Sequence, residues 1–187
     1  MKIDTFAFGK DKQLSKSDRS NIGSWDKKLV PLCNKLNKKK NYYTTSSCSG
    51  RIVLLKASDK KIEDAFLFRT HDKSSFKELK NVLDSMQYDG LVEFQQTSCI
   101  MHVACRTMGD ALDLVRKAKE AGWKRSGVMT GGERFMVELH STESMCLPIM
   151  DKKKSLVDDN YLKLIIEQAN SKLDRVWEKI AKLYKTI

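Results

Sequence analysis

Six small hydroxyl or thiol residues stand in a row at Thr44, Thr45, Ser46, Ser47, Cys48 and Ser49, followed by Gly50 and Arg51. Such a run packs a core poorly. It offers hydroxyls and backbone N–H groups to a ligand, with Gly50 permitting close approach and Arg51 able to grip an anion through two N–H donors. A surface turn is the plain alternative, but the apolar stretch 52–55 follows at once and places the run at a strand's mouth. Covalent chemistry finds little support. No G-x-S-x-G is present, and no sequence neighbour activates Cys48.

His102 lies in the apolar run 100–104. A lone strand histidine is ordinarily a hydrogen-bonded core residue, yet it can also take a proton near neutral pH. His71 falls just past a strand, and His140 alternates outward from Phe135, Val137 and Leu139. Asp26 stands where a helix would start and a carboxylate is favoured by the helix dipole. Zinc is not expected. The three histidines are far apart, and strand alternation puts His102 opposite Cys99 and Cys105. Neither G-x-G-x-x-G nor G-x-x-x-x-G-K-[ST] occurs, so no Rossmann site or P-loop is expected.

The 187 residues suffice for one domain, and no apolar run is long enough to span a membrane. Residues 1–10 lack the apolar centre of a signal peptide, so a cytoplasmic location is expected. Five cysteines, an odd number without a C-x-x-C pair, point to the same reducing compartment. The net charge of +11 is concentrated at the ends: residues 1–40 carry eleven basic and four acidic side chains, residues 152–187 nine and five. A neutral middle between basic ends suits a polyanion, although a lysine-rich solvated surface reads the same way.

These residues need elements to hold them. Residues 1–20 read as a mobile, lysine-rich arm. Ser24 is placed to cap a helix running to about Asn37, with Pro31 forcing a late start or a kink. Residues 42–56 read as one extended segment, 65–69 as a strand. Ser75 and Glu78 form a capping box opening a helix, and strands follow near 91–95 and 99–105. Asp110 reads as the cap of a helix stopped by Gly122, before strands near 124–129 and 134–140. Both 45–95 and 99–140 thus read as strands around one helix, for which a structural duplication is one explanation. Apolar positions from Leu162 to Tyr184 recur every three or four residues, marking a long amphipathic helix docked on a sheet. The fold class is therefore α+β, with a mixed or mostly antiparallel sheet, in a single domain over 1–187.

Ser24-Trp25-Asp26, Asn37 and the run Tyr42-Tyr43-Thr44-Thr45-Ser46-Ser47-Cys48-Ser49-Gly50-Arg51-Ile52 together resemble the tRNA wybutosine-synthesising protein 3 family. The likeness continues through His71, Ile100-Met101-His102-Val103, Ala111, Ser126-Gly127, Val157, Tyr161-Leu162 and Ala169-Asn170. Thr97-Ser98 departs from it where a Glu-Pro is expected. The resemblance implies an S-adenosylmethionine-dependent methyltransferase of an unusual α/β type without the Rossmann glycines. Its implied substrate is nitrogen 4 of the tricyclic base 3′ of the anticodon in phenylalanine tRNA. It implies Ser46, Ser47, Cys48, Ser49, Gly50 and Arg51 as the cofactor edge, and Asp26, His71 or His102 as the group that orients the base or accepts its proton. Lys27, Lys28, Asn37, Lys38, Lys39, Lys40 and Tyr43 would hold the anticodon loop, with no metal and no membrane involved. The rival reading is a non-catalytic tRNA-binding module. A nucleotide-binding regulator has no phosphate motif behind it.

Overall fold

A computed structural model describes residues 4–16, 26–58, 63–130, 132 and 134–187. Ser24 and Trp25 lie outside the described residues. The chain divides into two compact units, Met1–Ser49 with Cys99–Thr142 and Val176–Ile187, and Gly50–Ser98 with Glu143–Arg175. The chain holds two sheets, each threaded by segments distant in the chain. Linear patterning does not register such crossings.

In the first unit, α1 (Thr5–Leu14), α2 (Val30–Lys38) and α4 (Met108–Glu120) accompany four antiparallel strands in the order β1-β5-β7-β6. Here β1 is Tyr42–Cys48, β5 Ile100–Cys105, β6 Gly127–Thr130 and β7 Phe135–His140. One face of the sheet buries Met101, Val103, Val137 and Leu139 against Leu32 and Leu36 of α2, Leu114 and Ala118 of α4, and the indole of Trp123. Pro31 sits in the first turn of α2, where its missing N–H costs nothing, so the helix starts late as expected. Across the other face lies α1, where the sequence reads as a mobile arm. Asp4 caps it by accepting the Ala7 N–H (3.0 Å), and Phe6 packs on Tyr43 with ring centroids 5.1 Å apart. Phe6 is the one buried residue of this helix, so no apolar stripe announces it in the sequence.

The second unit is a five-stranded antiparallel sheet, β3-β2-β4-β8-β9, with α3 (Phe76–Asp84). Its strands are β2 (Arg51–Lys56), β3 (Phe66–Thr70), β4 (Val92–Thr97), β8 (Met145–Asp151) and β9 (Lys154–Ser155). The sequence pattern misses β8 because Pro148 interrupts it. Since β9 pairs only with Met150 and Asp151, β8 is an edge at Pro148, where a proline is tolerated. The long α5 (Asp159–Thr186) buries Leu162, Ile165, Ile166, Ala169 and Leu173 in the second unit's share of the chain, then Val176, Ile180 and Leu183 in the first unit's core. The element orders within 51–97 and 99–140 differ: α3 follows two strands, α4 follows one.

Asp110 is the third residue of α4 rather than its cap. Thr107 caps the helix, its hydroxyl accepting the Asp110 N–H (3.1 Å), while the Asp110 carboxylate accepts the Thr107 N–H and O–H and the Asn41 amide. Burial works to raise the Asp110 pKa, but these donors hold it below the ordinary carboxylate value. A depressed carboxylate adds stability above its unfolded pKa and loses it as pH falls through the folded one. Asp110→Ala is therefore expected to cost about 0.5–1.5 kcal/mol at neutral pH, with the gap from wild type narrowing as pH falls below the ordinary carboxylate value of 3.8. Thermal melts across that range check it. A gap that persists in acid would assign the effect to helix packing instead.

Candidate functional site

The hydroxyl-rich segment contains the division between the units, Ser49 ending one and Gly50 opening the other. The reading of residues 42–56 as one extended segment is corrected here: β1 and β2 belong to different sheets. Gly50 makes the break. Its φ is +88°, and a Cβ there would stand 2.8 Å from the Thr97 carbonyl oxygen, so both its conformation and its packing exclude a side chain.

Within the first unit, the register of β1 slips between Thr44 and Ser46, leaving Thr45 as a bulge. Asn37 of α2 holds that point: its carbonyl accepts the Thr44 N–H (2.8 Å) and its amide donates to the Thr44 hydroxyl (3.0 Å). The bulge re-aims the strand so that Ser46, not Thr45, stands opposite His102. The Ser46 hydroxyl lies 2.7 Å from His102 Nδ1, and His102 Nε2 lies 3.1 Å from a Glu138 oxygen. The three residues occupy matching positions on three neighbouring strands, Ser46 opposite His102 and His102 opposite Glu138. An ionised Glu138 can only accept, which puts the ring proton on Nε2 and leaves Nδ1 to accept from Ser46. His102 and Glu138 side chains are 28% and 29% exposed, open enough to exchange a proton. His140, read as solvated, also approaches Glu138, at 3.6 Å.

Ser47 faces the other way and meets Cys33 of α2 (Sγ to Oγ, 3.9 Å). Burial pushes the Cys33 thiol up to about 11 and Cys105 up to about 12. Burial likewise raises Cys99 well above its ordinary value, so these three thiols stay protonated and pack as small apolar groups. Asp26 precedes α2. One carboxylate oxygen accepts the Ser49 N–H (3.0 Å) and the Ser49 hydroxyl, the other the Lys28 N–H (3.2 Å). These bonds tie Asp26 to the end of β1.

In the second unit, the Arg51 guanidinium stacks 4.9 Å from the Phe66 ring centroid, and Arg69 approaches the same ring at 5.1 Å. The buried side-chain atoms without a hydrogen-bond partner among the described residues include Arg51 Nε, Gln96 Oε1 and Thr97 Oγ1. Arg51 and Thr97 stand opposite each other in the β2–β4 ladder. The Arg51 and Thr97 atoms, on one face at one end of this strand pair, form a place where an external ligand's groups would recover lost hydrogen bonds, whereas Gln96, opposite Ile52, lies on the other face. His71 follows β3 in a loop tied to α5: the Ser74 N–H donates to the Asn170 carbonyl (3.1 Å), and the Asn170 amide donates back to the Ser74 carbonyl (2.9 Å).

Of the lysines singled out in the sequence, Lys27, Lys38 and Lys40 are exposed. Lys28 stacks on Trp177, 3.9 Å from the ring centroid, and Lys39 reaches the Ile187 carbonyl (2.7 Å). Asn37, with its amide engaged by Thr44, positions β1. Tyr43 is fully buried. Glu138, Gln96 and Thr97 escape sequence reading. Glu138 shares the parity of His140 along β7, which is a signal, but only strand register brings it to His102.

The sequence model of the family described as Methyltransferase TYW3 matches residues 9–187. The chain is 34% identical over 160 residues to the tRNA(Phe) 7-((3-amino-3-carboxypropyl)-4-demethylwyosine(37)-N(4))-methyltransferase of Methanocaldococcus jannaschii, covering 83% of this chain and 82% of that one. It is 30% identical over 185 residues to the tRNA wybutosine-synthesizing protein 3 homolog of Mus musculus, covering 96% of this chain and 71% of the mouse protein. A solved structure of a Pyrococcus horikoshii protein superposes with a TM-score of 0.89 at 31% identity, covering 96% of this chain and 94% of that one.

Proposed function

From the premise that the chain belongs to the TYW3 methyltransferase family, we propose that it methylates nitrogen 4 of the 4-demethylwyosine-type base 3′ of the anticodon in phenylalanine tRNA, using S-adenosylmethionine, in the cytoplasm. The observation that carries the cofactor assignment is the buried, unpartnered Arg51 Nε with the unpartnered Thr97 Oγ1 opposite it in the β2–β4 ladder. An anionic or carbonyl group of a ligand satisfies the first; a hydroxyl or amino group satisfies the second. These residues fit a small polar cofactor. S-adenosylmethionine supplies an electrophilic methyl group on a sulfonium.

Alignment of donor and acceptor supplies much of the acceleration in an in-line displacement, which is the task of Ser46, Ser47, Cys48, Ser49, Gly50 and Arg51. Asp26 holds Ser49 in place. His102 takes the proton that nitrogen 4 loses on becoming substituted, with Glu138 stabilising the imidazolium and Ser46 fixing the ring. His71 orients the base. Lys27, Lys28, Lys38, Lys39 and Lys40 neutralise phosphates of the anticodon loop.

Calorimetric titration with S-adenosylmethionine, followed by a methyl-transfer assay on hypomodified phenylalanine tRNA, tests the reading. Saturable binding and transfer to nitrogen 4 are expected. Tight tRNA binding with no heat from S-adenosylmethionine and no transfer would leave a non-catalytic tRNA-binding module as the better account.

A further inference from the structure

The reading above uses the lysines of residues 27–40 and leaves the second basic stretch, which opens at Lys152, without a task. Within the second unit, β8 turns into β9 through Lys152 and Lys153, with Met150 paired to Ser155 and Asp151 to Lys154. Both turn residues lie in the left-handed region, with φ of +47° and +62°. A two-residue hairpin turn with both φ values positive matches the twist of its strands, and asparagine followed by glycine is the pair that suits it. Lysine does not suit it, because its Cβ is brought against the following carbonyl oxygen. Among the described residues Asp64 is the one other non-glycine residue at positive φ, whereas here two stand in a row.

The frame around the turn is small but closed. β9 has two residues, and the ladder is extended by the Leu156 N–H donating to the Ile149 carbonyl (2.9 Å). The Ser155 hydroxyl then donates to the Val157 carbonyl (2.6 Å). Packing does not explain the lysines. Lys152, Lys153 and Lys154 are all exposed, and none of them pairs with a carboxylate among the described residues. The acids that follow are engaged elsewhere: Asp158 accepts the Tyr161 N–H (2.7 Å) at the start of α5, and Asp159 pairs with Lys80 (3.2 Å). Asp151 is the one other acid in residues 150–160. Three ammonium groups thus stand together at a hairpin tip, two of them on a backbone that disfavours their residue type. Strain of this kind gathers where side chains serve a ligand.

We propose that the hairpin tip 152–154 binds the phosphate backbone of the substrate tRNA. The proposal rests on the tRNA reading above and adds a contact made by the second unit. Lysine ammonium groups on flexible stems meet phosphates as point charges, so they need no fixed geometry beyond the turn that carries them. Each one that neutralises a phosphate releases a counterion, which gives the contact its signature in salt.

The test compares wild type with two double variants, Lys152→Asn with Lys153→Gly and Lys152→Arg with Lys153→Arg. The probes are phenylalanine tRNA, S-adenosylmethionine and phosphatidylserine vesicles. The Asn-Gly variant is expected to bind tRNA about tenfold more weakly, with the salt slope of log K lowered by about two. Its melting temperature should rise by about 2–4 °C as the turn relaxes. Those opposite signs separate a lost contact from a damaged fold, which would weaken binding and stability together. The Arg-Arg variant keeps both charges and should match wild type in tRNA affinity and slope. S-adenosylmethionine affinity should be the same in all three. Wild-type tRNA affinity and slope in the Asn-Gly variant would remove the tip from the RNA surface. If that variant instead loses only binding to the vesicles, the tip serves an anionic lipid surface. A lowered melting temperature would show that lysine fits this turn, and strain would no longer point to a ligand. A wild type that binds no tRNA overturns the functional reading itself, and this contact with it.

Discussion

Arg51→Ala is expected to weaken S-adenosylmethionine binding by about ten- to a hundredfold, the loss of roughly 1.5–3 kcal/mol that a charge-assisted hydrogen bond contributes. Arg51 Nε is buried and unpartnered among the described residues, a state that costs free energy in the folded protein unless something else fills it. Arg69 crowds the same Phe66 ring, so two cations face one small region and an anionic ligand group relieves both. Arg51→Lys keeps the charge but presents no Nε donor and no planar fork, and should recover only part of the affinity. Stability should change little, because stacking on an exposed ring contributes only about 0.5–1 kcal/mol. Calorimetry on the three proteins, each with its own melting curve, separates the two effects. Unchanged affinity in Arg51→Ala would remove Arg51 from the binding site.

His102→Gln should lower the rate of methyl transfer at saturating S-adenosylmethionine and tRNA by about a hundredfold or more, the range that a positioned general base supplies. Glutamine spans a similar length but takes no proton. Glu138→Gln should cost less, about tenfold, and it carries a signature that a merely structural role lacks. A neutral amide neither stabilises an imidazolium nor dictates the ring tautomer, so kcat should fall with KM unmoved. Affinities for S-adenosylmethionine and tRNA should stay at wild-type values in both variants, leaving KM unchanged while kcat falls. A full rate in His102→Gln would show that nitrogen 4 loses its proton to water or to another residue. The hydrogen-bonded row from Ser46 to Glu138 would then be structural.

Arg51 and His102 differ in how plainly the sequence marks them. Arg51 stands out from its place after six hydroxyl and thiol residues and a glycine, because an arginine next to a tight turn at a strand's mouth has few uses besides binding anions. His102 was visible only as a histidine in an apolar run, which most often means a core residue. Its partners are Ser46, fifty-six positions earlier, and Glu138, thirty-six later. Nothing in local spacing links them. Even the parity of β1 misleads here, since strict alternation from Tyr43 puts Thr45 on the face that Ser46 takes. The bulge held by Asn37 moves the frame by one residue.

Local chemistry alone accounts for much of this protein. The capping boxes of α3 and α4, the late start of α2 at Pro31, the stop at Gly122 with its positive φ and the apolar stripe of α5 all follow from interactions within a few residues. They are written in spacing, and so are the α+β class and the absence of Rossmann glycines. Tertiary structure decided the rest: that α1 forms at all, through one phenylalanine on Tyr43; that residues 42–56 split between two sheets; and that Pro148 sits in a strand. It also set which side chains meet at Glu138, Gln96 and Thr97. Helix periodicity and caps are short-range properties of the chain. Strand register, bulges and burial are set by what lies across the ladder, and that partner sits tens of residues away.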